Sequence, residues 1–220
     1  FSKLIRELTV AAKLGGPEPG DNPRLRLALD KALGANMPKD TIERAIARGS
    51  GDQEAENLEE TIYEGYGPNG VAIIVETLTD NKNRTVAEVR HAFSKYGGSL
   101  GTDGSVAYLF TKVGQIVVEN TDEEKIFDIS VSNGAEEVEK GDENNLIISV
   151  EAEEFHNLKN VLEEQQIKID QYELIMKASN SVELDDEASE KVINLLESLE
   201  DLDDVQNVHS NAEFSEGSFA

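Results

Sequence analysis

The first fifty residues repeat apolar positions with the period of an α-helix. Apolar side chains recur three and four positions apart over residues 1–14, which predicts a first helix. The run GGPEPGDNP interrupts this pattern, and Pro23 suits the first turn of a second helix. A third helix is predicted to begin at 38–40 and to end at Gly49. Short connections between the three helices favour a small helical bundle.

The pattern changes after residues 50–60, a polar and acidic stretch that is predicted to be a linker. Residues 61–79 predict two strands around the turn Gly67–Gly70, the second a buried VAIIV run. A helix follows up to the pair Gly97-Gly98, and residues 105–110 (SVAYLF) predict another strand.

Two helix starts carry a capping box, in which a side chain at the cap and a Glu three residues later satisfy free N–H groups. Asp40 with Glu43 predicts the start of the third helix. Thr85 with Glu88 predicts the start of the helix that ends at Gly97-Gly98, so that DNKNR (80–84) precedes this helix.

Residues 113–178 carry a complete pattern of their own, in the order strand, helix, strand, strand, helix, strand. This βαββαβ order is that of the split-βαβ, ferredoxin-like arrangement. A helix at 185–199 and a strand at 205–214 follow it without partners of their own. We therefore expect these two elements to complete the sheet begun at 61–110, and the tail 215–220 to fray.

Composition fits a globular protein with a sizeable core: 38% of the 220 residues are hydrophobic and 30% are charged. No apolar run approaches the roughly 20 residues of a membrane span. The absence of cysteine excludes disulfides and thiolate metal sites and favours a reducing, cytoplasmic setting. The chain opens on Phe1 inside an amphipathic pattern, so we expect further residues upstream.

The charge is distributed very unevenly along the chain. The formal net charge is −25, with +3 in residues 1–50, −6 in 51–110 and −22 in 111–220. Because acidic surfaces repel phosphate, any nucleic-acid surface is predicted to lie in the first half. The alternative for the acidic half is that its charge only keeps the protein soluble.

Catalytic and metal-binding chemistry receives little support from the sequence. The three histidines, His91, His156 and His209, lie on separate predicted elements, and the Glu153/His156 pair lacks a second such pair. The glycines of GGSLGTDG follow a helix and precede a strand, the reverse of a dinucleotide fingerprint. We therefore expect no catalytic residue, no metal and no cofactor.

Cations are the stronger candidates for function, and they form two groups. One lies on the second and third helices, and the other lies around the start and body of the helix near Thr85, where unpaired N–H groups favour an anion. Solvated charges that acidic neighbours neutralise are the alternative. The predicted nucleic-acid contacts are Arg24, Arg26, Lys31, Lys39, Arg44 and Arg48, together with Lys82, Asn83, Arg84, Arg90 and Lys95.

Four long segments of the first half resemble the YebC family. They are FSKLIRELTVAAKLGG, NPRLRLALDKALGANMPKDTIERAIARG, YEGYGPNGVAIIVETLTDNKNRTVAEVRHAF and GGSLGTDGSVAYLF. Proteins of this family are usually described as probable transcriptional regulators, and their mitochondrial relatives as translational activators of a cytochrome oxidase subunit. Beyond residue 110 the resemblance is one of element order and acidity.

The resemblance implies a cytoplasmic, non-enzymatic α+β protein with three lobes. These are a helical bundle (1–55), an α/β lobe (56–112 plus 179–220) and a ferredoxin-like lobe inserted into the second (113–178). Family members are also similar in a short basic stretch upstream of FSKL, after which this chain starts.

Three functions follow from these observations as hypotheses. The first is a regulator of gene expression that binds DNA, as the family description suggests. The second is a translation factor whose cations contact ribosomal RNA. The third is an adaptor that binds basic proteins through its acidic half, and none of the three involves a membrane.

Overall fold

A computed structural model describes residues 1–51 and 57–216. The chain divides into two compact units: unit 1 comprises residues 1–107 and the chain from residue 181 onward, and unit 2 comprises residues 108–180. In chain order the helices are α1 (Ser2–Gly15), α2 (Pro23–Gly34), α3 (Lys39–Ser50), α4 (Lys82–Lys95), α5 (Glu123–Ser132), α6 (Phe155–Glu164) and α7 (Asp186–Glu200). The strands are β1 (Glu59–Tyr66), β2 (Ala72–Thr79), β3 (Ser99–Leu100), β4 (Phe110–Glu119), β5 (Ala135–Lys140), β6 (Asn145–Glu151), β7 (Ile169–Ala178), β8 (Val182–Glu183), β9 (Val205–Ser210) and β10 (Ala212–Glu213).

The helices α1, α2 and α3 form the helical lobe, whose core comes from the apolar stripe of each helix. Asn22 joins α1 to α2: its amide donates to the Ala11 carbonyl at 2.7 Å, and its oxygen caps α2 by accepting from Leu25 N. The buried core residues are Leu8, Ala11, Leu25, Ala28, Ala32, Met37, Ile42 and Ala45.

Helices α1 and α3 cross at very short range. A Cβ added at Gly49 would lie 2.1 Å from the Thr9 carbonyl oxygen, so only glycine fits this crossing. The Thr9 hydroxyl donates to the Ala45 carbonyl across the same contact, at 3.1 Å. The position of α3 on the lobe is therefore fixed by backbone contact.

The rest of unit 1 is a sheet in the order β3-β1-β2-β9, in which the three strand pairs are antiparallel. Apolar residues of β2, α4 and α7 form one buried cluster, which includes Ile73, Val75, Phe93, Val192 and Leu195. Strand β9 pairs with β2, so residues 205–210 complete the sheet that β1 and β2 begin, as the sequence predicts. The end of the predicted strand differs, because β10 pairs with β8 in a separate two-stranded parallel sheet.

Unit 2 is a four-stranded antiparallel sheet in the order β5-β6-β4-β7. With α5 and α6 this is the predicted ferredoxin-like βαββαβ arrangement. Its core includes Ile116, Ile126, Ile148, Leu158 and Leu162. The predicted α+β fold class is thus confirmed.

Three local predictions are wrong. The helix α4 begins at Lys82, not Thr85, because the Asn81 side chain caps it by accepting from Arg84 N at 3.1 Å. Pro38 is the N-cap of α3 and forms no side-chain cap bond, so Asp40 and Glu43 are not a capping box.

The third error concerns SVAYLF (105–110), which is not a strand. Residues 107–109 form a 3-10 turn, and the strand β4 begins only at Phe110. Glu64, on β1, accepts hydrogen bonds from backbone N–H groups of this segment, which removes them from any sheet ladder. The short strand β3 was not predicted.

Parts of two further predictions lie outside the described residues. The predicted linker 50–60 includes residues 52–56, and the predicted frayed tail includes residues 217–220. At the edges of the linker, Ser50 closes α3 and Glu59 opens β1.

Candidate nucleic-acid interface

The first turn of α4 contains three of the predicted contact residues. Because Asn81 is the N-cap, Lys82, Asn83 and Arg84 lie inside the helix rather than in a loop before it. Cations in a first turn oppose the helix dipole, so their position needs a compensating acid. Acidic side chains of other elements provide this compensation.

Arg84 is held by a buried carboxylate. Asp204, whose side chain is 1% exposed, lies directly before β9. It accepts from Arg84 at 2.8 and 3.1 Å, from the Thr85 hydroxyl at 2.7 Å and from Arg6 of α1 at 3.0 Å. Asp80 takes a further Arg84 hydrogen bond at 2.8 Å. We call Arg6, Arg84, Thr85 and Asp204 the Asp204 junction.

The Asp204 junction stabilises the ionised carboxylate strongly. Burial by itself raises the pKa of Asp204, but hydrogen bonds from Arg84, Thr85 and Arg6 outweigh it and lower the pKa from the ordinary 3.8 to about 2. The hydrogen bonds of Arg84 to Asp204 and to Asp80 raise the pKa of Arg84. Both groups are therefore fully charged at neutral pH.

The Asp204 junction also connects the helical lobe to the sheet. Arg6 donates to the backbone carbonyls of Leu78 and Asp203 at 3.1 and 3.0 Å. Val10 of α1 packs with Leu58 and Leu78 in a small buried cluster at the same connection. Arg84 therefore acts as a structural link between α4 and the end of the chain.

Two other predicted cations meet at the start of β1. Lys82 lies 2.6 Å from Glu59, and the pairing lowers the pKa of Glu59. Arg24 of α2 forms two hydrogen bonds to Glu7, at 2.7 and 3.1 Å, and also reaches Glu60. The structure thus brings Arg24 and Lys82 to adjacent acidic residues.

The remaining cations of α2 are partly covered. Arg26 donates from one terminal nitrogen to the carbonyls of Pro19 and Gly20, at 3.3 and 2.7 Å. Lys31 is half-buried in the last turn, where a cation favours the helix dipole.

The cations of α3 are exposed. The ammonium of Lys39 lies 3.6 Å from Glu43, and both side chains are largely in solvent. Arg44 donates to the Asp40 carbonyl of its own helix at 3.2 Å, and Arg48 is exposed one turn further on. Exposed pairs at such distances contribute little to stability, so these groups are accessible to another anion.

Three other predicted contact residues of α4 are also exposed. Asn83, Arg90 and Lys95 are exposed positions on the helix. The Lys95 ammonium lies 5.3 Å from the centre of the Tyr96 ring. Among the described residues, Arg90 is in no ion pair shorter than 4.0 Å.

The glycine-rich loop 101–107 is anchored by a buried acid. Glu64 accepts from the backbone N–H groups of Gly104, Val106 and Ala107 at 2.7, 3.0 and 2.6 Å. Burial raises the pKa of Glu64, but these three hydrogen bonds lower it by more. The loop therefore uses its N–H groups internally and does not present them to a phosphate.

Three residues of this region were not predicted: Arg6, Glu64 and Asp204. Arg6 stands between apolar residues of α1 and gives no sign of a distant partner. Asp204 closes the run EDLDD (200–204), in which the sequence does not distinguish the buried acid from the exposed ones. The alternation of β1 gives no signal for Glu64, because it places Glu64 on the face opposite to Tyr63, together with the exposed Ile62.

Other chemistry is sparse in the part of the chain that the structure describes. No group of three or more His, Asp or Glu residues there is placed to hold a metal ion. His209 lies 3.3 Å from Glu76, on neighbouring strands, and His91 is exposed on α4. None of the described helices has the length and apolarity to cross a membrane.

Comparisons with known proteins agree with this architecture. The TACO1/YebC protein N-terminal domain matches residues 1–52, and the TACO1/YebC second and third domain matches residues 58–212. Proteins named probable transcriptional regulatory protein from Pseudomonas putida and Coxiella burnetii are each 54% identical over 217 residues. The alignments cover 98% of this chain and 88% and 89% of theirs.

A solved structure is similar over nearly the whole chain. The crystal structure of a conserved hypothetical protein from Aquifex aeolicus has a TM-score of 0.88 and 48% identity, and the match covers 98% of this chain and 90% of that one. Two domain matches together span the helical lobe, the sheet of unit 1 and unit 2. The chain therefore belongs to the TACO1/YebC family.

Proposed function

We propose that this protein is a non-enzymatic regulator of gene expression that contacts nucleic acid through exposed cations of α3 and α4. The names of the curated relatives support the regulatory role. One structural observation carries the location: Lys39 and Arg44 of α3 and Arg90 and Lys95 of α4 are exposed, whereas Lys82 and Arg84 of α4 are held by acids.

Electrostatics supports the same location. The helical lobe is the part of the chain with positive net charge, +3 over residues 1–50, whereas the whole chain carries −25. A phosphate backbone is attracted to accessible cations and is repelled by the acidic remainder. Contact at α3 therefore brings the phosphates to the stretch of the chain whose net charge is positive.

Four of the other predicted contact residues have a different role in this proposal. Arg24, Lys82 and Arg84 hold the helical lobe and α4 in place through Glu7, Glu60, Glu59 and Asp204. Arg26 fixes the turn before α2 through carbonyl oxygens. These residues position the interface, while the exposed cations contact phosphate.

A charge-matched pair of variants tests this proposal. The first changes Lys39, Arg44, Arg90 and Lys95 to Gln. The control changes Lys112, Lys125, Lys168 and Lys191 to Gln, which removes the same charge from exposed positions elsewhere. Fluorescence anisotropy with a labelled DNA duplex and a labelled ribosomal RNA fragment, at about 50 and about 200 mM salt, measures binding.

The first variant should bind about tenfold or more weakly and show a shallower salt dependence than wild type, because it loses phosphate contacts. The control should bind like wild type. Equal weakening of both variants would mean that binding depends on net charge alone and would refute the assignment to α3 and α4.

A second candidate function is that of a translation factor on the ribosome. The observation that favours it is the pairing of Arg24, Lys82 and Arg84 with acids, which leaves few cations for phosphate. A duplex-binding protein that makes about six to ten phosphate contacts uses more cations than the four exposed ones named above. A factor held partly by ribosomal proteins needs fewer such contacts.

Sedimentation separates the two candidates. A ribosome-bound factor should co-sediment with purified ribosomes and release on raising the salt, while leaving a DNA duplex unshifted. A DNA-binding regulator should shift the duplex and remain in the supernatant of the ribosome experiment. The four-residue Gln variant of α3 and α4 should lose whichever association wild type shows.

A further inference from the structure

Unit 2 has a hollow between α5 and the edge strand β5 that the proposed function does not use. Its volume is about 350 Å³, and Glu123, Glu124, Phe127, Val138, Lys140 and Leu146 line it. Strand β5 pairs only with β6 among the described strands, so the hollow lies at the open side of the sheet. The site is accessible from solvent along this edge.

Two large apolar side chains of α5 are exposed rather than packed against the core of unit 2. Ile126 and Ser130 are its buried residues, and they face the unit. Phe127 and Val131, one position further along in each turn, are both 49% exposed. An exposed aromatic and an exposed β-branched residue four apart form a continuous apolar strip next to the hollow.

Acidic residues border this apolar strip. Glu123 and Glu124 lie in the first turn of α5, and Asp128 is exposed between Phe127 and Val131. Lys140 is the single cation among the lining residues, and it lies 3.3 Å from Glu123. Residues 108–180 carry a formal net charge of −11. An apolar hollow with an acidic border is complementary to a basic ligand that also carries apolar side chains.

We propose that this hollow is a docking site for a cationic, amphipathic segment of a partner protein. An apolar side chain of the partner enters between Phe127, Val138 and Leu146. Lysine or arginine residues flanking it pair with Glu124 at the border and compete with Lys140 for Glu123. The partner's apolar residue supplies the affinity, and its cations select the segment and speed its association.

Charge complementarity disfavours the other occupants. A second copy of this chain carries a formal net charge of −25, and nucleic acid would bring phosphates to a unit of net −11. The proposal goes beyond the nucleic-acid contact of α3 and α4, since it concerns other residues and another kind of partner. Either one can fail without the other.

The test uses the full chain and a fluorescein-labelled Lys/Leu amphipathic peptide as the probe. Matched peptides replace all Lys by Glu or all Leu by Ser, and anisotropy gives each dissociation constant. Phe127→Ser should weaken binding of the Lys/Leu peptide about tenfold, because it removes the central apolar contact. Phe127→Leu should retain most of the affinity. Both matched peptides should bind wild type much more weakly.

Two controls make the result specific. Glu123→Gln with Glu124→Gln should weaken binding severalfold and flatten its salt dependence, whereas Glu153→Gln with Glu164→Gln, an equal charge change on exposed residues, should not. Tyr108→Ser removes another exposed aromatic, 74% exposed, and should also leave binding unchanged. Circular dichroism checks that each variant is folded, and Val131→Ser is the second apolar variant if Phe127→Ser unfolds.

Three outcomes would overturn the proposal. One is equal weakening by both charge pairs, which would indicate non-specific attraction. Another is a Phe127→Ser affinity equal to that of wild type in a folded protein. The third is sedimentation equilibrium showing a dimer that Phe127→Ser dissociates, since the hollow would then bind a second copy of this chain.

Discussion

The helix α3 and the first turn of α4 both gather cations, but the two groups serve different ends. Lys39 and Arg44 on α3 extend into solvent, where their contacts are an exposed acid and a carbonyl of their own helix. Arg84 on α4 lies against a carboxylate that is 1% exposed. The two groups differ in the burial of the acid that pairs with the cations, not in the number of cations.

The role of a cation in a basic patch depends on the burial of the acid that pairs with it. A cation next to a buried acid is needed where it is, since removing it leaves an uncompensated buried charge. A cation next to an exposed acid is loosely held, because solvent and salt screen the pair. Sequence alone assigns both groups the same role, and only the depth of the acid separates them.

The largest expected effect comes from the acid that separates the two groups. Asp204→Asn should lower the free energy of unfolding by about 3 kcal/mol, because the charges of Arg6 and Arg84 lose their buried counterion. Urea unfolding at neutral pH measures it. The control Asp203→Asn changes an adjacent exposed acid and should cost less than about 0.5 kcal/mol. If the two variants lose similar amounts of unfolding free energy, the burial of Asp204 does not separate the two groups of cations.

The pH dependence of that loss should follow the pKa of Asp204. A carboxylate whose pKa falls from 3.8 to about 2 on folding contributes about 2 kcal/mol above pH 4, and the contribution disappears as the pH falls through about 2. The stability difference between wild type and Asp204→Asn should therefore shrink between about pH 4 and pH 2. Unfolding curves of both proteins across this range measure it, and a constant difference would contradict the assigned pKa.

A smaller effect is expected at Glu64, a buried acid that backbone groups satisfy without any arginine. Glu64→Gln should destabilise the loop 101–107 by about 1–2 kcal/mol, because three N–H groups lose a charged acceptor. Hydrogen exchange at Gly104, Val106 and Ala107 reports the loss locally. If exchange there is unchanged, the three bonds do not hold the loop.

The smallest effect on stability is expected on α3, where binding should change instead. Arg44→Gln should alter the free energy of unfolding by less than about 0.5 kcal/mol. It should also reduce the slope of the logarithm of the nucleic-acid binding constant against the logarithm of the salt concentration by about one, the value of one lost phosphate contact. Urea unfolding and anisotropy, run on the same preparation, separate the two quantities. A large loss of stability would place Arg44 with Arg84 and remove the distinction between the helices.

Element order was predictable because each element carries its own periodicity. The βαββαβ pattern of unit 2 and the return of β9 to the first sheet both follow from alternating and helical stripes in the sequence. The start of α4 was misplaced because Asn81 and Thr85 are both good caps, and Thr85 Oγ1 bonds to Asp204 instead. Only tertiary contacts determine which of two such residues caps the helix.

The candidate site was less predictable than the fold. Sequence identifies Arg84 as a cation near a helix start, but its partners Asp204 and Arg6 are supplied by segments far along the chain. Local pattern contains no information on such pairings. For the same reason Lys39 and Lys82 look equivalent in sequence, while one pairs within its helix and the other pairs with β1.

The Asp204 junction joins residues 198 positions apart, Arg6 near one end of the chain and Asp204 near the other. During synthesis the first helices leave the ribosome long before Asp204 does. Until then α1 contacts the sheet only through earlier residues, such as Leu58 and Leu78, and β2 lacks the strand that covers its edge. A prematurely terminated chain therefore leaves Arg6 and Arg84 without their shared acid and leaves the edge of β2 open to pairing with another strand.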